Sequence, residues 1–219
     1  MNVLVACEES QRVCIAFRER GHSAFSCDIE PCSGGHPEWH IMQDVVPLLN
    51  GRCSFKTMDG IEHSIDGKWY LIIAHPPCTY LSNAGARWLY AGGELNAERY
   101  RKGIEGKKFF MVMLNADCPR IAVENPIPSS IYDLPQYTQI IQPYQFGEPW
   151  SKKTCIWLKG LEPLMPTNIV PDYKPYCSSG SYSVTHDPKY KGASRKGGSA
   201  KSRSKTFEGI ARAMASQWG

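Results

Sequence analysis

Two residues at the ends of separate apolar runs carry side chains suited to covalent and acid–base chemistry. Cys78 follows Pro76 and Pro77 directly after the run Trp69 to Ala74. Two residues with locked φ hold its thiol in a fixed direction, a good mount for a nucleophile. The thiol serves equally as a small buried hydrophobe, the common use of a free cysteine. Glu124 holds the matching position in AVENP, after Ile121 to Val123. A carboxyl group there is placed to protonate or orient a substrate ring, and its plainer use is a helix cap or a surface acid beside Pro126. Asp28 lies about twenty residues beyond the first apolar run, where nucleotide-binding folds put an acid on ribose hydroxyls. His75, beside the prolines, is either a supporting contact for the nucleophile or a cap on the strand end.

These residues need strands to carry them. NVLVAC (residues 2 to 7) has the apolar run of a buried parallel strand, and residues 10 to 20 follow with Val13, Ile15, Ala16 and Phe17 at near-helical spacing. Gly21 stops that helix, and residues 22 to 31 read as a second strand ending in acids, which completes a βαβ unit. Trp69 to Ala74 gives the strongest strand signal, stopped by the two prolines. Helical spacing runs from Asn96 to Asn115 through Ile104, Phe109, Val112 and Met113. Strands follow at Ile121 to Val123 and in TCIWLKG, and FEGIARAMASQW forms a last helix. The alternation predicts an α/β, Rossmann-like doubly wound sheet with ligands above the strand carboxyl ends. The first turn, Ala6-Cys7-Glu8-Glu9-Ser10-Gln11, has no glycine. It lacks the phosphate cradle of G-x-G-x-x-G, which counts against a pyrophosphate cofactor.

At 219 residues, with 42% hydrophobic and 21% charged side chains, the chain fits one domain with a small appendage. Residues 1–160 read as the catalytic core, 161–205 as a short irregular and basic recognition region, and 206–219 as a helix returning to the core. The nine cysteines include no C-x-x-C pair and read as reduced thiols of a cytoplasmic protein. Cys27, Cys32, His36 and His40 are spaced C-x4-C-x3-H-x3-H, but without a C-x2-C knuckle the expectation is no metal. No apolar run nears the roughly 18 residues that span a bilayer, and the start lacks the marks of a signal peptide. The net charge of +4 is concentrated. Lys189, Lys191, Arg195, Lys196, Lys201, Arg203 and Lys205 stand together without an acid, which favours a polyanionic partner unless the segment is simply a solvated loop.

IIAHPPC, AVENP and the spacing of Asp28 together resemble the carbon-5 cytosine DNA methyltransferase family, in the right order along the chain. Pro76-Pro77-Cys78 matches its nucleophile motif. Glu124-Asn125 matches its Glu-Asn-Val motif, with Pro126 in place of valine. Gly147 to Thr154 is similar to its G-x-P-Q-x-R-x-R segment, with Lys152 and Lys153 as the nearest basic substitutes for the arginines. TFEGIARAMASQW is similar to its last motif without the usual Gly-Asn. The first loop departs from Phe-x-Gly-x-Gly, and the recognition region is much shorter than usual, so the resemblance is to a compact, phage-like member.

The resemblance implies a sheet of the S-adenosylmethionine-dependent methyltransferase type and S-adenosyl-L-methionine as cofactor. It implies a cofactor site formed by Cys7, Glu8, Ser10, Asp28, Ile29, Asp44 and Pro76, with Asp28 on the ribose and Asp44 beside the adenine. Cys78 is the implied nucleophile, adding to carbon 6 of a flipped cytosine, and Glu124 binds the ring. Lys152 and Lys153 complete the catalytic set and clamp flanking phosphates. Duplex DNA is the expected partner of a monomer. The rival readings are a methyltransferase for RNA or free nucleotide, and a non-catalytic nucleic-acid-binding protein of the same fold. Residues 79 to 100, with Arg87, Arg99 and Arg101, are expected to form a loop that closes over the substrate.

Overall fold

The computed structural model describes residues 1–86, 88–91, 93–176 and 204–219. Its centre is a sheet of seven strands: β1 (Asn2–Ala6), β2 (Ser23–Asp28), β3 (His40–Met42), β4 (Leu71–Ala74), β5 (Ile121–Pro126), β6 (Gln139–Ile141) and β7 (Thr154–Lys159). They lie in the order β6-β7-β5-β4-β1-β2-β3. Neighbours run parallel except at β7, which is antiparallel to both β5 and β6. This is the Rossmann-like, doubly wound sheet that the alternation of strands and helices predicts.

The strands are apolar on both faces because both faces are covered. Val3 and Val5 of β1, with Leu71 and Ile73 of β4, pack under two helices, α1 (Arg12–Glu19) and the C-terminal Glu208–Trp218. Leu4 and Ala6, with Ile72 and Ala74, face the opposite layer. There Phe110 and Met113 of the long helix Ala97–Leu114 close the core. The side-chain period of two along each strand thus divides one apolar run between two layers. An antiparallel hairpin, Cys53–Lys56 with Glu62–Ile65, adds Phe55 and Ile65 to the second layer.

The element ends depart from expectation for local reasons. α1 begins at Arg12, not residue 10, because Gln11 is left-handed at φ 58°. β4 begins at Leu71, because its pairing with β1 begins at Val3 opposite Leu71. Trp69 is buried just before it, and its indole N–H donates to the Leu48 carbonyl at 2.7 Å. β5 runs on to Pro126 because β7 pairs along its whole length. The long helix keeps its expected span, with Asn96 accepting from the Arg99 amide at 2.9 Å as its N-terminal cap.

The predicted recognition region is partly core: Leu164 is buried, the Trp218 indole donates to the Glu162 carbonyl, and Lys174–Pro175 pairs with Trp150–Ser151. The basic segment 189–205 lies outside the described residues except for Ser204 and Lys205, and the Lys205 ammonium reaches Ser33 Oγ at 2.8 Å. Among the described residues no helix is long and apolar enough to cross a membrane.

Candidate active site

The chain leaves β1 toward β2 and β3 on one side and later enters β4 and β5 on the other. This makes the carboxyl ends of β1 and β4 the topological switch point, the crevice where open α/β sheets bind ligands. Both predicted mouths, Cys7 to Gln11 and His75 to Cys78, open there.

Beyond Ala74 the prolines carry the chain out of the sheet, with Pro76 buried and Pro77 exposed. The Pro76 carbonyl accepts from the Asn125 side-chain amide at 3.0 Å, which ties this loop to the end of β5. Cys78 is half-buried, and its carbonyl accepts from the amides of Leu81 and Ser82 to close the turn. Ala74 lies opposite Val123 in the sheet, so His75 and Glu124 are neighbours. His75 Nδ1 stands 2.8 Å from Glu124 Oε2, with side chains only 13% and 15% exposed. A carboxylate only accepts, so Nδ1 carries the proton.

Burial alone would lower the His75 pKa, but the hydrogen bond and charge of Glu124, then the charge of Glu8, leave it raised. Burial likewise opposes ionisation of Glu124, but the His75 contact and then Lys152 bring it below the ordinary carboxylate value. Both shifts favour the charged form of each group. Burial pushes the Cys78 thiol up, Glu124 adds to the rise, and Lys152 opposes it. Cys78 from the loop after β4, Glu124 on β5 and Lys152 from the loop before β7 thus influence one another electrostatically near the mouth of β4.

The other mouth is differently built. Cys7 is left-handed at φ 57°, and its thiol is pushed up by burial, then by Asp28, Cys27 and Asp44. Asp28 stands opposite Met42 in the sheet, and Asp44 follows two residues after Met42 in the loop beyond β3. Asp28 accepts from the Glu30 amide and Asp44 from the Val46 amide, each through a single oxygen. Ile29, next to Asp28, is 78% exposed. Two carboxylates beside open apolar surface suit a nucleoside, with acceptors for ribose hydroxyls. Ser10 is buried. Glu8 is turned inward: its two oxygens accept from the amides of Val13 and Cys14 at the start of α1. That helix end, which a phosphate would otherwise occupy, is already capped by an acid.

Lys152 is half-buried, its ammonium 6.0 Å from the Tyr176 ring centre and 5.8 Å from that of Phe207. Lys153 is exposed, and it is Lys152 that acts on Cys78 and Glu124. The described residues between 79 and 100 are packed more closely than a free lid. Leu81 and Leu89 are buried, and Arg99 donates to the carbonyls of Thr79 and Gly85. Arg101 pairs with Glu105 on its own helix, and Arg87 lies outside the described residues.

The zinc-like residues are engaged separately. Cys27 donates to the Gln43 carbonyl, His36 bonds Glu38, and His40 meets Ser26 Oγ and the Glu30 carbonyl. Among the described residues no group of three His, Cys, Asp or Glu is gathered for a metal.

The sequence singles out Cys78 and Glu124 but leaves open what His75 does. It gives no sign of Asn125 as the tie between the two loops, or of Tyr176 and Phe207 beside Lys152. For His75 the available signal was its place one residue past a strand whose neighbour ends in Glu124.

No protein-family model matches the chain, and no curated protein matches it. Solved structures similar to it include a DNA modification methyltransferase encoded within an E. coli prophage, 14% identical over 78% of this chain and 52% of that one, TM-score 0.44. Another is the Dnmt2 methyltransferase of S. pombe, 13% identical over 74% and 51%, TM-score 0.40. A third is the methyltransferase EhMeth of Entamoeba histolytica, 12% identical over 78% and 57%, TM-score 0.40. The chain thus spans about half the length of the first solved structures it matches.

Proposed function

We propose that the chain transfers a methyl group from S-adenosylmethionine to carbon 5 of cytosine in DNA, with Cys78 as covalent nucleophile. The observation that carries the reading is the position of Cys78 just beyond β4 and of Glu124 on the neighbouring parallel strand β5 at the switch point, with the Asn125 side-chain amide tying their two segments together at the Pro76 carbonyl. The motif-level resemblance of Pro76-Pro77-Cys78 and Glu124-Asn125 supports it.

Carbon 5 of cytosine is a poor nucleophile until carbon 6 is attacked. The Cys78 thiol loses its proton to solvent, the thiolate bonds carbon 6, and the electrons of the 5,6 double bond become available at carbon 5. Lys152 is the charge that favours the thiolate, against burial and Glu124. Glu124 holds the ring edge, and loss of the carbon-5 proton to a base then expels the Cys78 thiolate. The cofactor, when bound, supplies an electrophilic methyl group on a sulfonium. Asp28, Asp44 and the exposed Ile29 are the residues that would hold its nucleoside part.

A stacked base cannot reach Cys78, so the cytosine is flipped out at a cost of a few kcal/mol. Lys153 and the basic segment hold flanking phosphates, so DNA binding weakens as salt rises.

The test is transfer of labelled methyl from S-adenosylmethionine to mixed-sequence duplex DNA, RNA and free nucleotide, with the product base identified by mass spectrometry. The expected product is 5-methylcytosine in DNA. Methylation confined to RNA or nucleotide would move the substrate. DNA binding without methylation of any of the three would favour a non-catalytic binding protein.

A further inference from the structure

His75 takes no part in the reaction as written, yet it is the group bonded to Glu124. Charged groups face it from three stretches of chain: Glu124 on β5, Glu8 from the loop after β1, and Lys152 from the loop before β7. Glu124 is in turn faced by His75 and Lys152. A carboxylate this enclosed would take up a proton unless a partner compensated its charge. The Nδ1 contact supplies that compensation and fixes one oxygen, Oε2, which leaves Oε1 for a ligand.

We propose that His75 is a positioning residue for Glu124: it anchors one carboxylate oxygen and holds the group ionised, so that the other meets the substrate ring as an acceptor. The inference rests on the cytosine reading and deepens it. Cytosine presents an amino donor at the ring position where thymine and uracil present a carbonyl acceptor. An ionised Glu124 pairs with the donor and repels the acceptor, whereas a protonated Glu124 tolerates both. His75 would thereby set the preference for cytosine without touching the base.

Two measurements on the full chain test this. The first is an NMR titration of the His75 ring in the native protein and in Glu124→Gln. His75 is expected to titrate above 6.5 in the native chain, and lower in Glu124→Gln, where burial acts with less opposition. The second is labelled methyl transfer across pH by the native chain and His75→Asn, which keeps a donor near Nδ1 but no charge. The variant is expected to lose about 10-fold, mostly in kcat, because the donor it keeps carries no charge and bonds the carboxylate less strongly. Its acid limb should also move to higher pH, because Glu124 without the imidazolium is protonated more readily. A His75 titration indifferent to Glu124→Gln, or a pH profile of unchanged shape, would overturn the inference. A native chain that methylates nothing while His75 titrates as expected sinks the reaction and upholds the positioning of Glu124.

Discussion

The loops that follow β1 and β4 leave neighbouring parallel strands at the same end of the sheet, and each carries a cysteine. Their construction differs. The first is sealed by its own side chains: Glu8 caps α1, and the fully buried Gln11 bonds Ser26 and both backbone groups of His36. The second makes fewer bonds of its own and is held by proline stiffness and by the Asn125 contact with Pro76. In the first loop the thiol is pushed up by burial and by two nearby aspartates. In the second, Lys152 opposes burial and Glu124. Two cysteines at equivalent ends of the sheet thus have different charges around them, and the difference favours the proline-mounted one as the proposed nucleophile.

The largest expected effect separates the two thiols. Cys78→Ser should lower methyl transfer on the order of 10⁴-fold or more, as loss of a covalent nucleophile does. Cys7→Ser should cost less than about tenfold and act on KM for the methyl donor, since Cys7 lies beside Asp28 and Asp44. Steady-state kinetics on both variants would check this, and comparable losses in kcat would break the contrast between the loops.

The next effect is on stability, through Glu8. Burial lifts its pKa from 4.5 to about 7, against His75 and the two α1 amides. A carboxyl group whose folded pKa is raised stabilises the fold in its protonated form. That contribution is complete below pH 4.5 and is lost as pH rises through about 7. At most it amounts to about 3 kcal/mol. Denaturant unfolding of the native chain should therefore show falling stability between pH 5 and 8, while Glu8→Gln should flatten that dependence. An unchanged slope would mean that Glu8 stays ionised, and that the first mouth is less sealed than its hydrogen bonds indicate.

The sheet was legible because its central strands are unbroken apolar runs ending at prolines or acids, and because Asn96 and Asn115 bracket a helix of clear period. Cys78 and Glu124 were legible for the same reason: strand ends mark the crevice of a doubly wound fold. The short strands His40–Met42 and Gln139–Ile141 were not, since three residues show no period and their pairing partners are distant in sequence. Partnerships between strand ends were also hidden. His75 meets Glu124 only because β4 and β5 are adjacent and in register, which no spacing along the chain records. Glu8 reads as a ligand-loop residue in sequence. Its turn toward α1 depends on the left-handed backbone at Cys7 and Gln11.

The smallest effect tests why the first loop does without glycine. Gln11 sits at φ 58°, where a glycine would remove a backbone cost of about 1–2 kcal/mol. Its side chain holds the 29–39 loop in place, donating to the His36 carbonyl at 2.8 Å and accepting from the His36 amide at 3.1 Å. It also donates to Ser26 Oγ at 3.3 Å. Gly34 is packed so closely that a Cβ there would stand 2.6 Å from that of Gln11. In Gln11→Gly the backbone relaxes, but three bonds worth roughly 1 kcal/mol each are lost, and the His36 groups lose their partner. The bonds outweigh the strain, so the variant should be less stable by about 1–2 kcal/mol, read as a lower denaturation midpoint at unchanged m. A rise in the midpoint would make backbone strain the stronger of the two, and the first loop would then be a strained mouth rather than a sealed one.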